Sequence, residues 1–181
     1  SLGGVSKLNL VSKLSDFAVV ALDSSFTPSA LIKSSFKSPW GGVLSLGTPV
    51  FSGTIDQSST GDQYLGSYGV QVSNPEFTGT LLPGNKGALG DTSLLSPATA
   101  TGAYRVGANS ALIFSGRNNT FTGSNVLMVG SPLRTLSLGA ISFGNSAGTV
   151  TIRNSNDYTA GTIVNQGSTL NLEVGGAPGS T

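Results

Sequence analysis

The sequence predicts an all-β fold, a β-solenoid in which short strands stack coil on coil, and three observations predict it. Ser and Thr supply 46 of the 181 residues and Gly another 26, while charged residues reach only 9%. Helical domains need more Glu, Lys and Ala than this. Val, Leu, Ile and Phe nevertheless recur at strand spacing throughout, so the Gly and Ser content does not signal disorder. The third observation is internal repetition. Residues 156–172, from Asn156-Asp157-Tyr158-Thr159-Ala160-Gly161-Thr162 to Leu170-Asn171-Leu172, have a weaker copy 37 residues earlier that begins at Asn119-Thr120-Phe121-Thr122-Gly123. Phe121 and Tyr158 occupy the same place in the unit, and such periodicity outranks any local motif. A β-sandwich is the competing architecture, because even strand spacing is common to both.

Residues 1–42 read as an irregular N-terminal cap or insertion. Val5, Leu8, Val11, Leu14 and Ala18 fall near helical spacing, with Ser6 as an N-cap, whereas Leu8 and Leu10 alternate and Phe17–Leu22 is rich in strand formers; helix and strand both fit residues 6–22. Pro28, Pro39, Phe26, Phe36 and Trp40 then suggest a segment folded over the end of the stack.

From Val43 to the end, short strands alternate with turns. Strands are expected at 43–46, 50–55, 64–72, 77–82, 104–106, 111–114, 125–129, 135–138, 149–152, 162–165 and 169–174. Pro83-Gly84-Asn85, Gly116-Arg117-Asn118, Ser131-Pro132 and Gly144-Asn145 punctuate them. At roughly 20 residues per coil this region would build six or seven coils. In the last unit Thr162, Val164, Leu170 and Leu172 alternate with Asn165, Thr169 and Asn171, which predicts one buried and one wet face. Gly161 and Gly167 sit where the coil must turn sharply. A single coil cannot bury its apolar face alone, so stacking supplies the core.

The units at 118–138 and 155–174, and the first half of one at 74–82 (Asn74-Pro75-Glu76-Phe77-Thr78-Gly79-Thr80-Leu81), resemble the autotransporter-associated β-strand repeat of bacterial surface passenger proteins. That pattern is roughly Asn-x-aromatic-Thr-Gly-Gly-Thr, a β-branched strand, then Gly-Thr-Leu-x-Leu. Here Ala160 replaces the first glycine of the pair, Ser168 is an insertion, and nothing before about residue 50 matches. The resemblance implies a right-handed β-helix outside the cell with a structural or adhesive role. Its repeat positions in this chain are Asn119, Phe121, Gly123, Asn156, Tyr158, Gly161, Gly167, Leu170 and Leu172. It carries over no catalytic residue.

Chemistry is narrowed further by what is missing. With no His and no Cys, Ser-His-Asp triads, Cys-His pairs, imidazole or thiolate zinc sites and disulfides are all excluded. Carboxylate chemistry remains, as in β-helical polysaccharide hydrolases and lyases, but needs acids from different coils to converge. Asp56 and Asp62 are the only close acidic pair; without EF-hand or nonapeptide spacing they read as a polar loop tip rather than a calcium site. Asp157 is expected to stabilise its turn by Asx-type bonds. No catalytic residue, cofactor or metal ligand is therefore expected.

Nine basic residues offset by eight acids argue against nucleic-acid binding. The longest apolar run, Phe17–Leu22, is too short to span a bilayer. The chain opens without Met or a signal pattern and reads as a processed or excerpted piece. A net charge of +1 with positive mean hydropathy makes association the expected state. The leading expectation is a non-catalytic bacterial extracellular or cell-surface protein, a self-associating subunit of a fibre or matrix whose partners are copies of itself and surface polysaccharide. The alternatives are an adhesin passenger using Tyr64, Tyr68 or Trp40 to touch a glycan or host receptor, and a carbohydrate-active or tailspike fragment.

Overall fold

Runs of two to seven β-branched, aromatic or aliphatic residues bounded by Gly, Pro, Ser and Asn are too short for helices and suit a pleated, half-buried surface. The computed structural model describes residues 19–22, 43–60, 64–67, 73–85, 99–108, 110–130, 136–138, 141–143, 148–165 and 167–173. They form β1 (Val19–Leu22), β2 (Val43–Leu46), β3 (Val50–Phe51), β4 (Thr54–Asp56), a single helical turn α1 (Gln57–Thr60), β5 (Tyr64–Ser67), β6 (Glu76–Phe77), β7 (Thr80–Leu82) and β8 (Gly84–Asn85). There follow β9 (Gly102–Ala108), β10 (Leu112–Phe114), β11 (Asn125–Val129), β12 (Leu136–Leu138), β13 (Ile141–Phe143), β14 (Thr149–Ile152), β15 (Thr162–Val164) and β16 (Thr169–Leu172). The protein is all-β, with strands that pair mostly in parallel.

Two parallel sheets dominate. The first runs β1-β2-β5-β9-β11-β15, with β8 joined antiparallel to β9, and the second runs β3-β6-β10-β14-β16. A third parallel pair joins β4 to β7, and β12 and β13 form an antiparallel hairpin. Most of the sequence-predicted strands coincide with these elements, while Val50–Ile55 is broken at Ser52-Gly53 into β3 and β4. Of residues 6–22, positions 19–22 are a strand in register with β2; the rest of the expected cap, and Trp40 and Tyr68, lie outside the described residues.

The spacing is less regular than a 20-residue coil. Thr149 pairs with Thr169, 20 residues on, whereas Leu112 pairs with Val150, 38 residues on. The hairpin β12–β13 lies within the longer interval.

The core lies between the two sheets and is built in columns, because parallel register sets like positions above one another. Leu44, Leu65, Val106, Val129 and Val164 form one column across the first sheet. Phe51, Phe77, Phe114, Ile152 and Leu172 form another across the second. Ring centroids are 5.9 Å apart for Phe51–Phe77 and 5.5 Å for Phe77–Phe114, within the favourable range for aromatic pairs.

The first sheet also buries its other face, where Tyr64, Ala103, Val126 and Met128 cluster with Ala100 and Ala160. This is why Val126-Leu127-Met128-Val129 is apolar without alternation, as expected of a parallel strand covered on both sides. Tyr64, expected as an exposed receptor contact, is therefore fully buried. Between Leu65 and Gly66 the β5–β9 register shifts. Near it the Gln57 amide acts like a short strand on β9: its Nε2 donates to Arg105 O at 2.7 Å and its Oε1 accepts from Arg105 N–H at 3.0 Å.

Candidate functional site

After β3, β6 and β10 the chain turns a tight corner. Phe51-Ser52-Gly53, Phe77-Thr78-Gly79 and Phe114-Ser115-Gly116 stack there, with Thr78 N–H donating to Phe51 O (2.9 Å) and Ser115 N–H to Phe77 O (3.3 Å). A Cβ on Gly79 would collide with the Gly53 carbonyl, and one on Gly116 would lie 2.7 Å from Thr78 O. Glycine is required by close backbone approach, not by its dihedral freedom. The Phe-(Ser/Thr)-Gly triplet recurs at Phe121-Thr122-Gly123, so the signal for the members at 51 and 114 was present in the sequence.

Past Gly116 the chain leaves β7. Among the described residues β7 pairs with β4 alone, and no backbone hydrogen bond joins it to residues 117–125. Asn119, at φ +60°, redirects the chain, and residues 118–125 bond instead to the following level. Asn119 N–H donates to Ser155 O (2.6 Å), Asp157 N–H to Phe121 O (3.2 Å) and Thr159 N–H to Gly123 O (2.9 Å).

Buried amides reinforce that junction. Asn156 Oδ1 accepts from Phe121 N–H at 2.9 Å, and Asn156 Nδ2 donates to Asn154 O at 2.9 Å. Asn154 Nδ2 in turn reaches Arg117 O (2.6 Å) and Thr120 Oγ1 (2.8 Å). Most buried polar groups in folded proteins are paired in this way. The turn bonds expected of Asp157 come instead from Asn154 and Asn156; the Asp157 side chain is exposed and points to no described partner.

The departure leaves a cleft of about 330 Å³ with Gly79–Pro83 on one side and Arg117, Asn119, Thr120, Thr122 and Asn125 on the other. Tyr104 also lines it, 2% exposed, with its hydroxyl accepting from Thr122 N–H at 3.2 Å. Asn125 Nδ2 donates to Thr122 O at 2.6 Å, so this rim is held from within.

At the C-terminal end of the described stack, β15 and β16 are edge strands. Val164 (46% exposed) and Leu172 (43%) continue core columns into solvent, and Leu170 is only half-buried against the core. The expectation of one buried face in this unit is corrected here: its alternation is right for a core, but no described strand covers it. On the outer surface Arg153 clamps three levels, with Nε 2.6 Å from Glu173 Oε2 and Nη1 3.4 Å from Glu76 Oε1.

The repeat positions fall in two places. Phe121 and Tyr158 are buried one above the other, their rings edge to face with centroids 6.2 Å apart. Asn119, Gly123 and Asn156 belong to the same junction, with Gly123 at φ +70°. Gly161 (φ +89°) and Gly167 (φ +83°) turn the chain into β15 and β16, which carries Leu170 and Leu172. Asp56 Oδ1 caps α1 by accepting from Ser58 N–H at 3.0 Å, and Asp62 lies outside the described residues. Among the described residues no three His, Cys, Asp or Glu side chains gather as metal ligands, and no helix is long and apolar enough to cross a membrane. Gln57 and the buried Arg105 were not singled out from sequence; nothing in a lone Gln or Arg marks it as a strand surrogate or a buried cation.

Comparison with protein-family models, with curated proteins and with solved structures yields no match for this chain.

Proposed function

We propose that the chain is a right-handed β-solenoid acting as a non-catalytic structural protein of a bacterial surface fibre or matrix, and that it self-associates. The observation that carries this reading is the edge formed by β15 and β16, which no described strand covers. There Val164 and Leu172 end two core columns on the last described strands, β15 and β16, and are left 46% and 43% exposed. An uncovered parallel edge with in-register apolar side chains is a template for another strand. Neither proline nor a lysine blunts β15 or β16, and a net charge of +1 does little to keep copies apart. The opposite edge of the first sheet is β1, Val19–Leu22, a run of the same β-forming chemistry. A second copy offering that edge would extend the stack by head-to-tail addition.

Sedimentation velocity across a concentration series tests the reading, with a Val164→Lys/Leu172→Lys double variant beside the parent chain. The parent is expected to form larger species as concentration rises and the double variant to remain monomeric with unchanged circular dichroism. A parent chain that stays monomeric throughout contradicts self-association, and equal assembly by both proteins removes this edge as its basis.

A further inference from the structure

The cleft beside β7 is separate from the assembly edge, and its chemistry points to a different kind of partner. Its volume of about 330 Å³ lies at the low end of the roughly 300–1,000 Å³ common for small-molecule sites, room for a sugar unit rather than an extended polymer. One guanidinium, Arg117, and no carboxylate lie among its described lining residues. Among the described residues, the side chains of Thr80, Arg117, Asn119 and Thr122 have no hydrogen-bond or ion-pair partner. By contrast Asn125 and Tyr104 are bonded to the Thr122 backbone and hold the rim in shape.

The free groups are thus a forked cation, two hydroxyls and an amide on a preformed frame. Guanidinium matches a carboxylate with two parallel N–H donors, and hydroxyl and amide groups can both donate to and accept from sugar hydroxyls. Leu82, 42% exposed, and Pro83 add an apolar strip suited to the C–H face of a pyranose. Tyr104 turns no ring face outward, being buried edge-on against Phe121 at 5.2 Å. Binding therefore lacks aromatic stacking and depends on the Arg117 ion pair.

We propose that this cleft binds a carboxylate-bearing sugar, with Arg117 on the carboxylate and Thr80, Asn119 and Thr122 on the hydroxyls. The proposal does not rest on self-association, and monomeric chain serves to test it. The experiment follows amide shifts of the ¹⁵N-labelled 181-residue chain carrying Val164→Lys/Leu172→Lys, which keeps it monomeric and lies outside the cleft, during titration with galacturonate, N-acetylneuraminate, galactose and acetate, with and without Arg117→Gln. Saturable shifts of residues 117–125 with one or both acidic sugars are expected; which of the two saturates identifies a uronate or a sialate site. Galactose, which differs from galacturonate by the carboxylate, is expected to bind about tenfold or more weakly, and Arg117→Gln to lose about tenfold for the acidic sugar, the worth of one charge-assisted contact. Arg117 is exposed, so its substitution leaves the fold intact. Absence of saturable shifts with either acidic sugar overturns the proposal. So do galactose binding equal to galacturonate, acetate binding as tightly as the sugars, or an Arg117→Gln chain that binds undiminished.

Discussion

Replacing Phe121 with Ala tests the core at the point where the repeat units meet. The ring is fully buried and touches three others, Phe114 at 4.9 Å, Tyr104 at 5.2 Å and Tyr158 at 6.2 Å between centroids. Phe→Ala in a packed core costs about 3–5 kcal/mol, more where the surroundings cannot collapse. Here collapse is opposed on two sides: Phe121 N–H is pinned to Asn156 Oδ1, and Tyr104 is tied to Thr122. Edge-to-face partners contribute about 0.5–1.5 kcal/mol beyond area burial, so the upper part of the range, about 4–5 kcal/mol, is expected. With a urea m-value of about 2 kcal/mol/M, the midpoint falls by about 2 M. Phe121→Leu, which keeps most of the volume, should lose only about 1.5 kcal/mol. Equilibrium urea unfolding followed by circular dichroism reads both variants. A loss below about 1 kcal/mol for the Ala variant would refute the placement of this ring at the centre of a tight aromatic cluster.

Gly116→Ala should destabilise by about 1–3 kcal/mol, since the new methyl would meet Thr78 O at 2.7 Å and Thr78 Cα at 2.8 Å, backbone atoms that cannot yield without parting two levels of the second sheet; an unchanged thermal midpoint would contradict the close approach. Glu173→Gln is expected to do little. The hydrogen bond that Arg153 Nε donates to Glu173, with the carboxylate's charge, holds the Arg153 guanidinium above its ordinary value, so what this shift contributes is fully present below the unfolded arginine's titration and is lost only as pH rises through the higher folded value. Stability should thus show no step from this pair between about pH 5 and 9. Both partners are exposed, so raising salt should lower the parent's thermal midpoint about as much as the substitution does; a large loss that persists in high salt would show the clamp to be structural.

What could be read from the chain alone follows from where burial is decided locally. Strands β2, β11 and β14 lie where apolar and β-branched runs are bounded by turn residues, because strand formation there depends on neighbours within a few positions. The correspondence of Phe121 and Tyr158 is visible for the same reason: the units share a tripeptide rhythm. Tyr64 misleads because an aromatic beside polar Gln63 looks solvent-facing, and only the cover over the second face of the first sheet buries it. Val164 and Leu172 mislead in the opposite sense. Their alternation marks a core position, but whether a strand lies beyond them is a property of the stack and not of the segment. The cleft was illegible because it arises where residues 117–125 fail to follow β7, a departure set by Gly116 packing on Thr78 and by the left-handed turn at Asn119. No spacing in the sequence encodes that gap.

Stacking of chains strand on strand through parallel edges would be visible in X-ray fibre diffraction from aligned assemblies of the 181-residue protein. A meridional reflection at about 4.7–4.8 Å is the predicted result, because strands of successive levels and successive copies would lie perpendicular to the fibre axis at one spacing. Fibres lacking that reflection, or a chain that never assembles at any concentration, would contradict the account.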